Sequence, residues 1–231
     1  GGGYDFVDMT KESFDGTDYN KSFIVGTGAV AQDPKNPDNK ALRIENTTSG
    51  MTTLITNIKP LAKITLPEES KRIGKLVYEY DILFPSSNPL ERDVNHYPIS
   101  NVIKQYEGMT LGQIRPINAL YGSNIVEFRE PQLDKWFTVR YIFDYETEKY
   151  DAYANGVQFA DNVSYRTGVP SNKQFFDPSD GLHLRAYVPA PWTYYIDNVN
   201  ASYVEVTPDF VKGIKTFDGE EYNDVTDFAA E

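Results

Sequence analysis

Along most of this chain, apolar and polar residues alternate over short stretches that end at turn-forming residues. From Lys75 to Phe84, Leu76, Tyr78, Tyr80, Ile82 and Phe84 fall on one side of an extended strand, and Glu79 and Asp81 on the other. From Phe137 to Asp144, Phe137, Val139, Tyr141 and Phe143 oppose Thr138, Arg140 and Asp144. From Gly181 to Val188, Leu182, Leu184, Ala186 and Val188 oppose His183, Arg185 and Tyr187. A period of two puts one face of a strand on a core and the other in water. Weaker alternation predicts strands over Ala41–Asn46, Thr52–Ile58, Ile99–Tyr106, Thr110–Ile117, Ile125–Arg129, Lys149–Asn155 and Tyr194–Val206. Helical spacing is almost absent.

The breaks are chemically explicit. Asp33-Pro-Lys-Asn-Pro-Asp-Asn39, Pro85-Ser-Ser-Asn-Pro89 and Asp177-Pro-Ser-Asp-Gly181 hold residues that end strands, and Asn155-Gly156 is the strongest hairpin signal. Many short strands at close spacing predict an all-β fold, a two-sheet antiparallel β-sandwich. No Gly/Ser linker divides the body, so residues 1–206 read as one domain. Residues 207–231 read as an extension. There Phe210-Val211 and Phe217-Asp-Gly-Glu-Glu-Tyr-Asn223 echo Phe6-Val7 and Phe14-Asp-Gly-Thr-Asp-Tyr-Asn20, which suggests the start of a further module of a longer chain.

Composition narrows the partners. The net charge is −12 over 231 residues, which argues against nucleic acid or an anionic membrane, since both select basic surfaces. No apolar run approaches the roughly 18 residues of a membrane-spanning helix, so membrane insertion is not expected. Cysteine is absent, which removes disulfides, thiolate nucleophiles and cysteine-based zinc sites. The 17 Tyr and 13 Phe suit half-buried strands, and ring faces also suit stacking on the apolar face of a sugar.

Three segments carry a resemblance. Trp136-Phe-Thr-Val-Arg-Tyr-Ile-Phe-Asp144 followed by Lys149-Tyr-Asp-Ala-Tyr-Ala-Asn-Gly156 resembles the Trp-led strand and Asn-Gly hairpin of laminin-G-like and concanavalin A-like domains. Tyr195-Ile-Asp-Asn-Val199 resembles the closing strand of jelly-roll modules in bacterial secreted carbohydrate-active proteins. Asn39-Lys-Ala-Leu-Arg-Ile44 resembles their early strand entry. The resemblance implies a concanavalin-like jelly roll, with Trp136 as a core anchor, working outside a bacterial cell or on its surface. It does not choose among lectins, glucanases, lyases and adhesive modules on this fold.

Glu79-Tyr-Asp81 resembles part of the Glu-X-Asp-X-(X)-Glu strand of lichenase-type glucanases. Leu83 and Phe84 stand where the second Glu belongs, so the acid–nucleophile pair of a retaining hydrolase, about 5–5.5 Å apart, is incomplete. If their strands share one sheet, Arg140, His183, Arg185 and Tyr187 line a concave face beside Glu79 and Asp81. Jelly-roll lyases use such groups to neutralise a uronate and move its C5 proton. Their Arg-X-Glu-X-Arg, Gln-X-His and Tyr-X-Lys strands are missing here, and outward Arg and His are also ordinary on solvated sheets. Trp192, on the stiff Pro189-Ala-Pro-Trp loop, is a candidate rim platform for stacking, or else a lid on the core. His96 reads as part of a polar loop. The resemblance further implies a structural Ca2+ held by Asp197 with Asp15 and Asp5. The reading is therefore a carbohydrate-binding, lectin-like module for a polysaccharide or glycan. A β-sandwich lyase or hydrolase is the first alternative and a structural or adhesive surface domain the second.

Overall fold

A computed structural model describes residues 6–59, 75–89, 92–98, 112–115, 118–121, 124–127, 132–144, 147, 149–164 and 181–204. All of its regular elements are strands. β1 (Phe6–Glu12), β2 (Ile24–Gly26), β3 (Ala29–Asp33), β4 (Asn36–Asn46) and β5 (Thr52–Ile58) come first. They are followed by β6 (Lys75–Leu83), β7 (Val94–Pro98), β8 (Gly112–Arg115), β9 (Asn118–Tyr121) and β10 (Asn124–Glu127). The last five are β11 (Trp136–Asp144), β12 (Lys149–Ala154), β13 (Val157–Ser164), β14 (Leu182–Val188) and β15 (Trp192–Val204). The expected strand over Ile99–Tyr106 and the extension at 207–231 lie outside the described residues.

Two open sheets form, and every pairing between named strands is antiparallel. The eight-stranded sheet runs β13-β12-β11-β6-β15-β4-β3, with β1 also on β15; the seven-stranded sheet runs β10-β9-β8-β7-β14-β5-β2. β15 holds the larger sheet together. One edge of it pairs with β6, while the other pairs with β4 over Trp192–Ile196 and with β1 over Val199–Val204. The change of partner coincides with an irregularity between Asp197 and Asn200, where Asn198 takes a positive φ of 48°.

Between the sheets lies a core in which the predicted alternation is realised. Leu76, Tyr78, Tyr80, Ile82 and Phe84 meet Leu182, Leu184, Ala186 and Val188, with Phe137, Val139, Tyr141 and Phe143 beside them. The Asn155-Gly156 turn has φ of 49° and 79°, the two positive values a two-residue type I′ hairpin demands. Gly181 fixes the entry to β14. Its φ is 85°, and a Cβ there would sit 2.6 Å from the Ile58 carbonyl oxygen.

Two expectations are corrected. The long turn predicted over Asp33–Asn39 is only the hairpin at Pro34-Lys35, because the Asp33 carboxylate accepts the Lys35 N–H at 2.7 Å and closes the bend early. Trp136 is half-buried outside the core cluster, its indole N–H shared between the two Asp33 carboxylate oxygens at 3.1 Å.

Candidate functional site

The strand ladder decides which candidate residues meet. β14 lies between β7 and β5, with His183 opposite Tyr97 and Asn57, Arg185 opposite Asn95 and Ile55, and Tyr187 opposite Thr53. Asn95 in turn faces Gln113 on β8. Leu182, Leu184, Ala186 and Val188 go to the core, so His183, Arg185 and Tyr187 line the outer face of the seven-stranded sheet. Along that row exposure grades from buried His183 through half-buried Arg185 to Tyr187 at 55%. Tyr187 is the one exposed aromatic ring among the residues whose side-chain exposure the structure describes.

Burial, and then the charge of Arg185, lower the His183 pKa to about 4. At neutral pH the row therefore offers a guanidinium and an open phenol ring, with a neutral imidazole buried at its start. Such a set can stack on a flat apolar face, hydrogen-bond hydroxyls and hold a carboxylate through paired N–H donors.

Glu79, Asp81 and Arg140 do not join this row, which corrects the single concave face expected from the sequence. Their strands, β6 and β11, belong to the eight-stranded sheet, and their side chains lie on its outer face, on the other side of the sandwich. Alternation says which side of a strand a residue occupies but not which sheet the strand joins. Glu79 and Arg140 are also buried, at 7% and 8% exposure, and directly paired. Arg140 Nε donates to Glu79 Oε2 at 2.7 Å, and Nη2 donates to the same oxygen. Asp81 accepts from Thr138 Oγ1 at 2.7 Å and from Asn198 Nδ2 at 2.9 Å.

Trp192 is corrected too. It opens β15 at 1% exposure and packs on Phe84 and Tyr194, with ring centroids 6.3 and 5.5 Å away. It is a lid on the core, and no face of it is free to stack on a ligand. Asn88 fastens this start of the strand, accepting the Thr193 N–H at 3.1 Å and donating to the Thr193 carbonyl.

The calcium expectation meets a different chemistry. Asp197 Oδ2 accepts from Asn39 Nδ2 at 2.8 Å, and Oδ1 from the Asn198 N–H at 2.8 Å. The same Asn39 amide donates to Asp33 Oδ2 at 3.1 Å. Burial raises the Asp197 pKa to about 6; the two hydrogen bonds pull it down, and the Asp81 and Asp15 charges push it up. Asp15 is exposed and accepts from Ser13 Oγ at 2.9 Å, while Asp5 lies outside the described residues. No three His, Asp or Glu side chains converge among the described residues. Calcium asks for six to eight oxygens, and among the described residues no second and third acidic side chain converge with Asp197 to supply them.

His96 escaped the sequence reading. It is on β7, wholly buried, facing the core instead of a polar loop. Its ring stacks on Tyr141 at 5.2 Å, and its Nε2 shares a hydrogen bond with the Tyr80 hydroxyl, the Tyr80 ring lying end-on with its centroid 5.8 Å away. Burial raises the Tyr80 and Tyr141 hydroxyls well above the ordinary phenol range. The available signal was His96 lying two residues from Val94, in step with an inward-facing set.

No family model matches the chain, and no curated protein matches its sequence. Solved structures do match in shape. Lectin UEA-II in complex with galactose is 8% identical over 87% of this chain and 100% of its own, with a TM-score of 0.54. Lectin II from Ulex europaeus is 8% identical over the same shares, at 0.52. The catalytic domain of a glycoside hydrolase family 131 protein from Coprinopsis cinerea is 17% identical over 87% and 85%, at 0.47. The fold is the concanavalin-like jelly-roll sandwich.

Proposed function

We propose that this protein is a non-catalytic glycan-binding module acting outside the cell, and that it binds through the outer face of the seven-stranded sheet around Arg185 and Tyr187. The observation that carries the reading is the exposed Tyr187 ring in one row with Arg185 and an uncharged His183. Aromatic stacking with fixed polar donors is how a flat sheet face recognises a saccharide, and Arg185 favours one bearing a carboxylate. The likeness of shape to a galactose-bound lectin is consistent with this class of ligand.

The acid–base groups favour binding over turnover. A general base works best with a pKa near the working pH, and His183 at about 4 is far below it. Glu79 is committed to Arg140 on the opposite face, so it supplies no acid beside Tyr187.

Affinity electrophoresis on neutral and uronate polysaccharides tests the reading. Tyr187→Ala and Arg185→Ala are expected to weaken retention at least about tenfold while changing stability by less than ~0.5 kcal/mol. Leu184→Ala, buried next to Arg185 in the chain, is expected to cost about 2–5 kcal/mol through a core cavity. Parent-like retention by both surface variants overturns the assignment. Release of an unsaturated product gives the lyase alternative, and retention only on protein ligands the adhesive one.

A further inference from the structure

β7, Val94-Asn-His-Tyr-Pro98, is a strand whose sequence does not say which side is inside. One alternating set is Val94, His96 and Pro98; the other is Asn95 and Tyr97. Neither is decisively apolar. A one-residue slip exchanges the sets, and where patterning is weak, register is weakly specified. Yet this strand borders the proposed site, with Asn95 opposite Arg185 and Tyr97 opposite His183. Whatever holds its register decides what stands beside those two residues.

The structure supplies a holder from the other sheet. Tyr80 projects from β6 across the core, and its hydroxyl meets His96 Nε2 while the ring of Tyr141 stacks on the imidazole. A buried hydrogen bond of this kind discriminates steeply. A slip of β7 that removed the imidazole would leave the buried Tyr80 hydroxyl without that partner. On the inner face of the seven-stranded sheet, His96, Leu184 and Thr56 form one row across β7, β14 and β5. The far end of that row is also polar, since Thr56 Oγ1 donates to the Thr27 carbonyl at 2.9 Å and its side chain is a polar neighbour of the buried Tyr194 hydroxyl. Leu184, the residue between His183 and Arg185, is thereby bracketed by polar groups that have one fitting position each.

We propose that Tyr80 and His96 are positioning residues that lock the register of β7 against β14 and so set which side chains accompany Arg185 and His183 on the outer face. The lock concerns the fold; its consequence for ligand rests on the glycan-binding reading above.

The absence of cysteine makes the test direct, because a single introduced thiol is the only one present. Val157→Cys, exposed on β13, and Val94→Cys, buried on β7, are compared for their rates of labelling by a maleimide under native conditions. In the otherwise parental chain the Val157→Cys thiol is expected to react at least about a hundredfold faster than that of Val94→Cys, as open and closed positions differ when labelling awaits local unfolding. In the Tyr80→Phe background, which deletes one oxygen, that contrast is expected to shrink at least tenfold while cooperative melting persists. His96→Leu is expected to do the same, and His96→Gln, which keeps a side-chain hydrogen-bonding group, to restore most of it. A contrast that survives Tyr80→Phe overturns the lock, whatever happens to stability, and Tyr80→Phe decides alone if His96→Leu fails to fold. Labelling involves no sugar. A parent that shows the contrast but binds no glycan therefore overturns the functional reading and leaves the lock standing.

Discussion

The two outer faces of this sandwich hold similar kinds of residue to opposite effect. On the eight-stranded sheet, acids and amides are bonded into one lattice. Trp136 holds Asp33, Asn39 joins Asp33 to Asp197, Asn198 joins Asp197 to Asp81, and Thr138 closes the end. Beside it Glu79 and Arg140 neutralise each other out of water. On the seven-stranded sheet a shorter row climbs from buried His183 to open Tyr187. Charge density alone therefore does not mark a binding surface. The lattice uses its polar groups on itself, whereas the β14 row leaves an aromatic face to solvent.

The largest effects are expected on the face assigned a structural role. Arg140→Ala removes the guanidinium paired with the buried Glu79 carboxylate, and losing one partner of such a pair costs about 3–5 kcal/mol. Trp192→Ala is expected to cost a similar ~3–5 kcal/mol through the cavity under β15. Urea denaturation measures both, and binding per folded molecule should be unchanged. A loss of glycan affinity in Arg140→Ala without loss of stability would move the site to the opposite face.

Acidification sharpens the comparison next. The Asp197 pKa is raised in the folded state, so its contribution grows as pH falls from about 6 toward 4 and is lost as pH rises back through 6. The His183 pKa is lowered, so its contribution is complete above 6.5 and declines as pH falls toward 4. The two oppose each other over one window. Relative to the parent, Asp197→Asn should therefore lose stability more steeply between pH 6 and 4, and His183→Gln less steeply, in melting curves taken at each pH. Identical pH profiles for all three proteins would dismiss both shifts.

The smallest effect concerns the metal. Chelator and added calcium are expected to leave the melting temperature unchanged, because the described Asp197 environment lacks a ligand set. A ligand selective for the native state raises stability by mass action, so a clear rise with calcium would restore the metal reading and point to Asp5.

Much of the architecture was legible because its central strands, β6, β11 and β14, carry an apolar residue at every second position. The sheet to which each belongs was not, since Arg140 and Arg185 look alike on either face of a sandwich. The two tryptophans misled in opposite directions. Trp136 opens a strand as a core residue does, but its indole N–H is drawn outward to Asp33; Trp192 follows a Pro-rich loop yet begins β15 inside. β7 was missed because its inward position is a histidine satisfied by Tyr80, an exchange between sheets that no local pattern announces. Within the site, the outward sequence of His183, Arg185 and Tyr187 followed from alternation, while the gradient of exposure along it needed the neighbouring strands.

The double pairing of β15 bears on how the molecule is made. Synthesis delivers β1, β4 and β6 long before the strand that lies between them, since β15 reaches only to Val204. Until then the larger sheet has no centre, and the exposed flanks of β4 and β6 are open to improper partners. Contacts spanning Phe6 to Val204 carry a high loop-closure cost and belong to slowly folding topologies. Assembly of the sandwich must therefore wait until β15 has left the ribosome, and a chain stalled short of Trp192 should be a substrate for holding chaperones.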